Sequence, residues 1–457
     1  MTTKKIFLWM GIVLLLTQCQ DKEPINSISE NIQPKSTVST LKSASPFGEF
    51  TILDYNVAGL LEPFSSGDPS VNTPKIGVLV NDYDIVQVQE DFNYHAALYE
   101  GDLHPYCTPT SGGMGIGDGL NTMSDYPFSD DLVRVDWNDC NGTDCLTPKG
   151  FTWLRLRLDE GVYLDLYNLH TNAGSETADY AARRANVTQF VNYVQTQSAN
   201  NAFIITGDFN CRYTRAEDNI RLVSDNLGAT DSWIELIMDG LEPVQGSDPL
   251  VCHESAILTD FTCELVDKIF YRSNNFINLQ AVDFTYEDAK FRDEDGNMLS
   301  DHRPIYTKFQ YTLANNLRLS DQFGGPHGTS FIDVNAIPVS PVVTTIGMRA
   351  DSRIDQVNLT LSNGTSFVHG GTGGTAKSLT LNSGEYVKSV KLCSGKYNNT
   401  TRIFYAKYTT SSGRTLTGGT TTSTTVTYTA PDGWKIVGFH GRCGTNVDKL
   451  GVIYAPI

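Results

Sequence analysis

Residues 205–210, Ile-Thr-Gly-Asp-Phe-Asn, carry an apolar run into an acid and an amide, Asp208 and Asn210. The same pattern recurs on either side. LDYNVAG delivers Asn56, QVQED delivers Glu90, YNLHT delivers His170, and LSDHRP delivers Asp301 and His302. Each polar residue stands at or near the end of a segment that reads as a strand. Strands ending in carboxylates, amides and imidazoles describe a packed scaffold around one polar site. Those groups are what a metal-assisted phosphoester hydrolase needs. Any one of them alone reads as a solvated turn; the ordered five carry the argument.

Outward from these islands, Phe50–Asn56, Ile85–Gln89, Phe151–Leu158, Tyr163–Leu169, Phe203–Thr206, Val266–Tyr271 and Ile305–Tyr311 read as strands. Asp159-Glu160-Gly161 between two alternating runs is a hairpin signature. Ser175–Ser198 reads as a helix, because Val187, Phe190, Val191 and Val194 fall on one face. Helices interleaved with strands imply an α/β sandwich with sheet inside and helices outside. After Leu313, Gly, Thr and Ser become dense and helical periodicity stops. Short β-rich runs follow at Thr344–Met348, Val357–Leu361, Ser378–Leu381, Tyr386–Leu392, Arg402–Tyr408, Thr424–Tyr428 and Trp434–Phe439. They describe an all-β domain: a sandwich, barrel or prism. Thr409–Thr425 reads as a surface hairpin rather than a low-complexity linker. The chain divides at 1–18, 19–45, 46–313 and 314–457.

Lys4 and Lys5 followed by the apolar Ile6–Leu16 make an export signal, too short to span a bilayer. Leu16-Thr17-Gln18-Cys19 resembles a bacterial lipobox, in which Cys19 is lipidated and anchors the chain. The expectation is an outer-membrane lipoprotein facing the cell surface or the periplasm. Residues 20–45 are polar and Ser-rich, the composition of a flexible tether. Thirty-four basic against 52 acidic residues give a net charge of −18, so tight nucleic-acid binding is not expected. Eight cysteines beyond Cys19 in an exported chain favour disulfides. The expected pairs are Cys140–Cys145, Cys252–Cys263, Cys393–Cys443 and Cys107–Cys211.

Taken in order, Asn56, Glu90, His170, Asp208-x-Asn210 and Asp301-His302 resemble the endonuclease/exonuclease/phosphatase superfamily over residues 50–311. The resemblance implies a four-layer α/β sandwich of that type with its site at one end of two central sheets. It implies Glu90 as the principal Mg²⁺ ligand, with Mn²⁺ or Ca²⁺ as substitutes, and Asn56 completing or orienting the shell. Asp208 and Asn210, read as two apart on an extended segment, position the attacking water and the phosphate, or with His302 hold a second metal. His302 is the expected general base and His170 the donor to a phosphoryl oxygen. Asp267 either contacts the phosphate region or orients the catalytic histidine; Asp301 is a second candidate to orient a histidine. Glu90-Asp91-Phe92-Asn93, His104–Pro109 and Lys149-Gly150-Phe151 resemble the sphingomyelinase branch, whose lysine faces an anionic headgroup. The implied substrate is the headgroup phosphodiester of a membrane lipid. An extracellular or periplasmic nuclease and an inositol-phosphate phosphatase are the alternatives, and a glycan-binding adhesin the third.

Residues 320–456 resemble the jacalin-related lectins through Phe323–Gly328, Gly370–Gly374, Gly384–Val387, Ile436–Gly441 and Gly444–Asp448. The implied fold is an all-β β-prism that binds carbohydrate. Asp448 is the expected acceptor of sugar hydroxyls, Gly444, Thr445, Asn446 and Val447 form its loop, and Gly325 lines the facing one. A purely structural prism is the competing reading.

Overall fold

Two parallel strand pairs set the geometry of the first domain in the computed structural model, which describes residues 37–39, 44–61, 65, 67–112, 116–253 and 256–457. Phe47–Asn56 pairs with Ile85–Gln89 across the helix Pro69–Leu79. Val162–His170 pairs with Phe203–Asp208 across the helix Thr177–Gln197. Parallel neighbours need such a crossover, and it lays the helix on a face of the sheet. The register sets Asn56 opposite Gln89 and His170 opposite Asp208. Asp267, which opens the antiparallel strand Asp267–Arg272, also faces Asp208. All these residues therefore arrive at one end of the sheets.

Each sheet has six strands. On the outer face of the first, Ile76 and Leu98 from the two helices Pro69–Leu79 and His95–Gly101, with Val80 just past the first, bury against Leu53, Tyr55, Val86 and Val88. On the second, Val187, Phe190, Val191 and Val194 bury with Phe151, Tyr167 and Phe203. Helix, sheet, sheet, helix is the four-layer α/β sandwich. The hairpin at 159–161 forms with Gly161 in a left-handed conformation, φ 70°. The strand Ile277–Tyr286 has no counterpart in the sequence reading; it alternates buried and exposed positions at the edge of the first sheet.

The strands of the second domain fall into three groups, the first a separate four-stranded sheet and the other two joined through Val387 and Ile436. Ser366–Gly370, Ile354–Leu361, Val343–Ala350 and Thr375–Thr380 form one. Thr415–Gly419, Thr400–Thr410, Val387–Tyr397 and Thr424–Thr429 form the next, so the Thr-rich stretch is a hairpin. Thr329–Ile332, Trp434–Cys443, Val447–Pro456 and the short Arg318–Leu319 and Phe323–Gly324 form the third. This is the β-prism. The signal and Cys19 lie outside the described residues. Within the stretch expected to be a flexible tether, Thr37–Ser39 instead pairs in parallel with Val426–Tyr428, which satisfies the open edge of that sheet.

Ionic groups cross between the domains. Asp130, fully buried, receives Arg442 Nη1 at 3.2 Å and Lys449 Nζ at 2.5 Å from the prism. Burial opposes its ionisation, but Lys449, Arg155 and Arg442 overcome that and hold the carboxyl below its ordinary range. Asp321 of the prism accepts from Arg157 at 2.8 and 2.9 Å and from the Tyr163 hydroxyl at 3.0 Å. Ser330 is hydrogen-bonded to both Arg155 and Asn201.

Two expected disulfides form, Cys140–Cys145 and Cys252–Cys263. The other two do not: Cys211, Cys393 and Cys443 are free thiols. Cys211 follows a strand of the second sheet, whereas Cys107 lies in the edge strand of the first. Cys393 and Cys443 lie on Val387–Tyr397 and Trp434–Cys443, strands that pair only at Val387 and Ile436, away from both cysteines. Pairing by elimination ignored where on its strand each cysteine stands.

Candidate active site

Asn56 ends its strand fully buried, and its amide bridges two carboxylates. Nδ2 donates to Glu90 Oε1 and to Asp208 Oδ2, each at 3.2 Å. Its Oδ1 accepts from Ala58 N at 3.0 Å. Glu90 lies just past its strand with φ 57°, an uncommon conformation for a side-chain-bearing residue. Gly59 N and Phe92 N both donate to Glu90 O, at 3.0 and 2.8 Å, so the turn is fixed by its neighbours. A Cβ on Gly59 would sit 2.6 Å from that carbonyl, which explains the glycine.

His302 Nδ1 lies 3.0 and 3.1 Å from the two oxygens of Asp267, and Nε2 lies 3.7 Å from Asp208 Oδ2. Burial works against the imidazolium, but Asp267 and Asp208 outweigh it and raise the His302 pKa well above its ordinary value. Asp208 is the converse: burial opposes its charge, yet His170 and His302 hold it far below the usual carboxylate range. Burial pushes Asp267 upward against the pull of His302. The buried pair thus keeps a proton on the His302–Asp267 hydrogen bond.

His170 is fully buried, with Nε2 3.2 Å from Asp208 Oδ2, 3.9 Å from Glu90 Oε1 and 3.0 Å from Lys149 Nζ. Trp137 Nε1 donates to its carbonyl at 2.7 Å, fixing the strand end. Lys149 also reaches Asp144 Oδ1 at 2.9 Å, and Asp144 sits inside the loop closed by Cys140–Cys145.

Asn56, Glu90, His170, Asp208, Asp267 and His302 therefore meet around one cleft. Two expectations are corrected. Asn210 is not on an extended segment: with φ 49° it turns back, its N–H donates to Asp208 Oδ1 at 2.8 Å, and its amide faces Thr171 O at 3.4 Å. Asp301 does not orient a histidine. It is exposed beside a cleft of about 260 Å³, and its hydrogen bond is a 3.4 Å contact from Ser300 Oγ. Asp267 takes that role. Asp208, Asp267 and His302 bring ligand-type atoms within 4.8 Å of one another, while Asn210 turns its amide to Thr171 O.

Sequence reading missed the layer beneath. Gln89 Nε2 donates at 2.7 Å to both Asp54 Oδ1 and Asn168 Oδ1, and Thr206 Oγ1 lies 2.5 Å from Gln87 Oε1. Asp54, Asn168 and Thr206 each stand two residues before a site residue, so the period-2 rule puts them on its face, one pleat deeper. That spacing was readable. Burial above all, and then Asp267, push Asp54 well above the usual range.

Hard oxygen donors suit a divalent cation such as Mg²⁺. The fit rests on the donor set: the Glu90 and Asp208 carboxylates meet at one shared Asn56 amide, and the Glu90 side chain, 21% exposed, opens on the cleft. Glu90 would hold the ion, and Asn56, whose Oδ1 is taken by Ala58 N, would orient that carboxylate through Nδ2.

In the prism, Gly444 and Thr445 are exposed, whereas Asn446, Val447 and Asp448 are buried. Gly325 N donates to Asp448 O at 2.8 Å. The Asp448 carboxylate is paired with Arg402 of the neighbouring hairpin, a partner the motif did not reveal.

Residues 75–248 match the model of Endonuclease/Exonuclease/phosphatase family 2, and residues 320–453 that of the Jacalin-like lectin domain. Sphingomyelinases of Mycobacterium bovis and Mycobacterium tuberculosis are 38% identical over 277 residues, 59% of this chain and 54% of theirs. The chain thus spans about half the length of these curated relatives. Horcolin of Hordeum vulgare is 31% identical over 138 residues, 29% of this chain and 93% of Horcolin. Among solved structures, Sphingomyelinase C from Streptomyces griseocarneus aligns at 18% identity and a TM-score of 0.38, over 57% of this chain and 99% of that one. The chain belongs to the jacalin-like lectin family through residues 320–453, with an endonuclease/exonuclease/phosphatase-type domain ahead of them.

Proposed function

We propose that the chain is a Mg²⁺-dependent phosphodiesterase of sphingomyelinase type that releases the headgroup of a membrane lipid. The observation that carries this reading is the His302–Asp267 pair, 3.0 Å apart, opening on the cleft shared by Glu90, Asn56, His170 and Asp208. A bound divalent ion would neutralise the phosphodiester and make a water easier to ionise. Asp267 anchors Nδ1 and leaves Nε2 facing the cleft; a bound divalent ion would offset the carboxylate charge that raises the ring's pKa, and the ring, once neutral, accepts the proton of the attacking water. A second ion on Nε2 would occupy the lone pair that this step needs, so we assign one ion, to Glu90. His170 and Lys149 line the opposite wall, placed to stabilise negative charge growing on the phosphoryl oxygens. Asn56 orients Glu90 through its amide.

The 38% identity to sphingomyelinases supports the lipid headgroup as substrate, and the acidic total charge weighs against a nucleic acid. We place the chain at the bacterial outer membrane, tethered through a lipidated Cys19. The prism then adds a second contact, raising the effective concentration near glycosylated membranes. The test is a panel of sphingomyelin, phosphatidylinositol, inositol phosphates and duplex DNA, with and without EDTA. Phosphocholine release that EDTA stops and Mg²⁺ restores is expected. Degradation of DNA with no phosphocholine released would reject the lipid reading.

A further inference from the structure

The loops that meet around Asp448 bring positive charge to it. Arg402 pairs with its carboxylate, whose side chain is only 3% exposed. Arg353 lies 3.7 Å from Asp355 Oδ1, and its guanidinium sits 3.9 Å from the ring centroid of Tyr397, an exposed aromatic. Asn446 Nδ2 reaches Asp355 Oδ1 at 2.5 Å, tying that turn to the 444–448 loop. Arg402 and Arg353 are near enough to repel: burial first, and then Arg353, lower the pKa of Arg402. His327 feels the same field. Burial, then Arg402, Arg442 and Lys396 push its imidazole down, against Asp131.

Two guanidiniums thus meet at one rim, each beside an acid, Arg402 with Asp448 and Arg353 with Asp355. The Nε atoms of Arg353 and Arg402 are buried and have no hydrogen-bond acceptor among the described residues. A guanidinium N–H left in that state is costly, and its planar fork matches a carboxylate or sulfate. A neutral sugar would need Asp448 as acceptor, yet Arg402 already engages it.

We infer that this rim takes an anionic saccharide, a sugar carrying a carboxylate or sulfate group received by Arg353, whose approach to Asp355 is too long for a hydrogen bond, with the Arg353–Tyr397 stack as one wall and the Arg402–Asp448 pair as its floor. This rests on the sugar-binding reading of residues 444–448.

The test passes the full chain over immobilised heparin, polygalacturonate and mannan at increasing salt. Heparin separates sulfate from the carboxylate of polygalacturonate, and mannan carries neither. Retention on one or both polyanions, weakening as salt screens it, is expected. Arg402→Ala strips a buried acid of its partner and can unfold the loop, so Arg353→Ala, at a half-exposed position, is the second variant. Each folded variant should bind about tenfold more weakly. Equal retention on mannan, unchanged in Arg353→Ala, would overturn the anionic ligand and leave a sugar site. Retention on none of the three would overturn the sugar site as well.

Discussion

Asp208 and Asp448 are both buried acids that strands deliver to a rim of loops, yet they meet opposite company. Asp208 faces two imidazoles and a shared amide at one end of the sheets. Asp448 is closed by a guanidinium from the hairpin next to it. A motif determines which side chain arrives; a neighbouring hairpin with no motif of its own determines how much charge remains for a ligand. The sharpest way to break this contrast is at the hydrolase end. His302→Ala and Glu90→Ala should each lower turnover by roughly 10²–10⁴-fold while leaving retention on polysaccharide unchanged. Turnover surviving both substitutions would remove Asp208 from a catalytic setting.

Most of the candidate site was legible because strand-end residues are fixed by a short-range rule. An apolar run that stops at a polar residue predicts both a strand and where its last side chain stands. His302 and Asp267 lie 35 residues apart in sequence, yet each was found from its own island. Which acid holds which ring was not legible, since Asp301 is adjacent in sequence while Asp267 comes from another strand. Cysteine pairing failed for the same reason at larger scale. The prism was legible from the order of its glycine strings, some of which stand where a side chain would collide: a Cβ on Gly324 would sit 2.2 Å from Asp448 O. Arg402, in an ordinary strand pattern, gave no signal at all. Nor did the junction, because Asp130, Arg442 and Lys449 each read as surface charges until the two domains meet.

That junction decides whether the two sites are tethered or rigidly held. Lys449 follows Asp448 in the chain and reaches Asp130 and Ser129 O, at 2.5 and 2.7 Å, so the prism rim is bolted to the first domain. Asp130→Ala would leave buried cations unpaired and should cost about 3–5 kcal/mol, read as an earlier denaturant transition of the whole chain. An unchanged midpoint would mean that the sites are independent bodies.

A smaller effect separates the hydrolase wall from its support. Asp144 touches Lys149 but none of the six converging residues, and it is held in a loop whose two cysteines are exposed. Asp144→Asn, or reduction of Cys140–Cys145, should lower kcat/KM roughly tenfold by loosening Lys149, with Asp144→Glu restoring part of the loss. A fall in thermal midpoint without a kinetic effect would make the loop merely structural.

Histidines sort the two regions by the sign of their pH response. His302 is raised by Asp267 and Asp208, so its contribution to stability is complete below about pH 6.5 and fades as pH rises through its folded pKa. His440, in the prism strand against Tyr163, is pushed down to about 3, by burial first and then by Arg155 across the junction. The unfolded chain takes up that proton near pH 6.5 and the folded chain does not until about 3. Stability therefore falls with acid across this window, at up to about 1.4 kcal/mol per pH unit from this one group. His440→Gln, which removes the titration and keeps a polar group facing Gln322, should flatten the loss between pH 6.5 and 5 in denaturant melts. An equal slope in the variant would place the acid sensitivity elsewhere and leave the junction as stable in acid as the domains it joins.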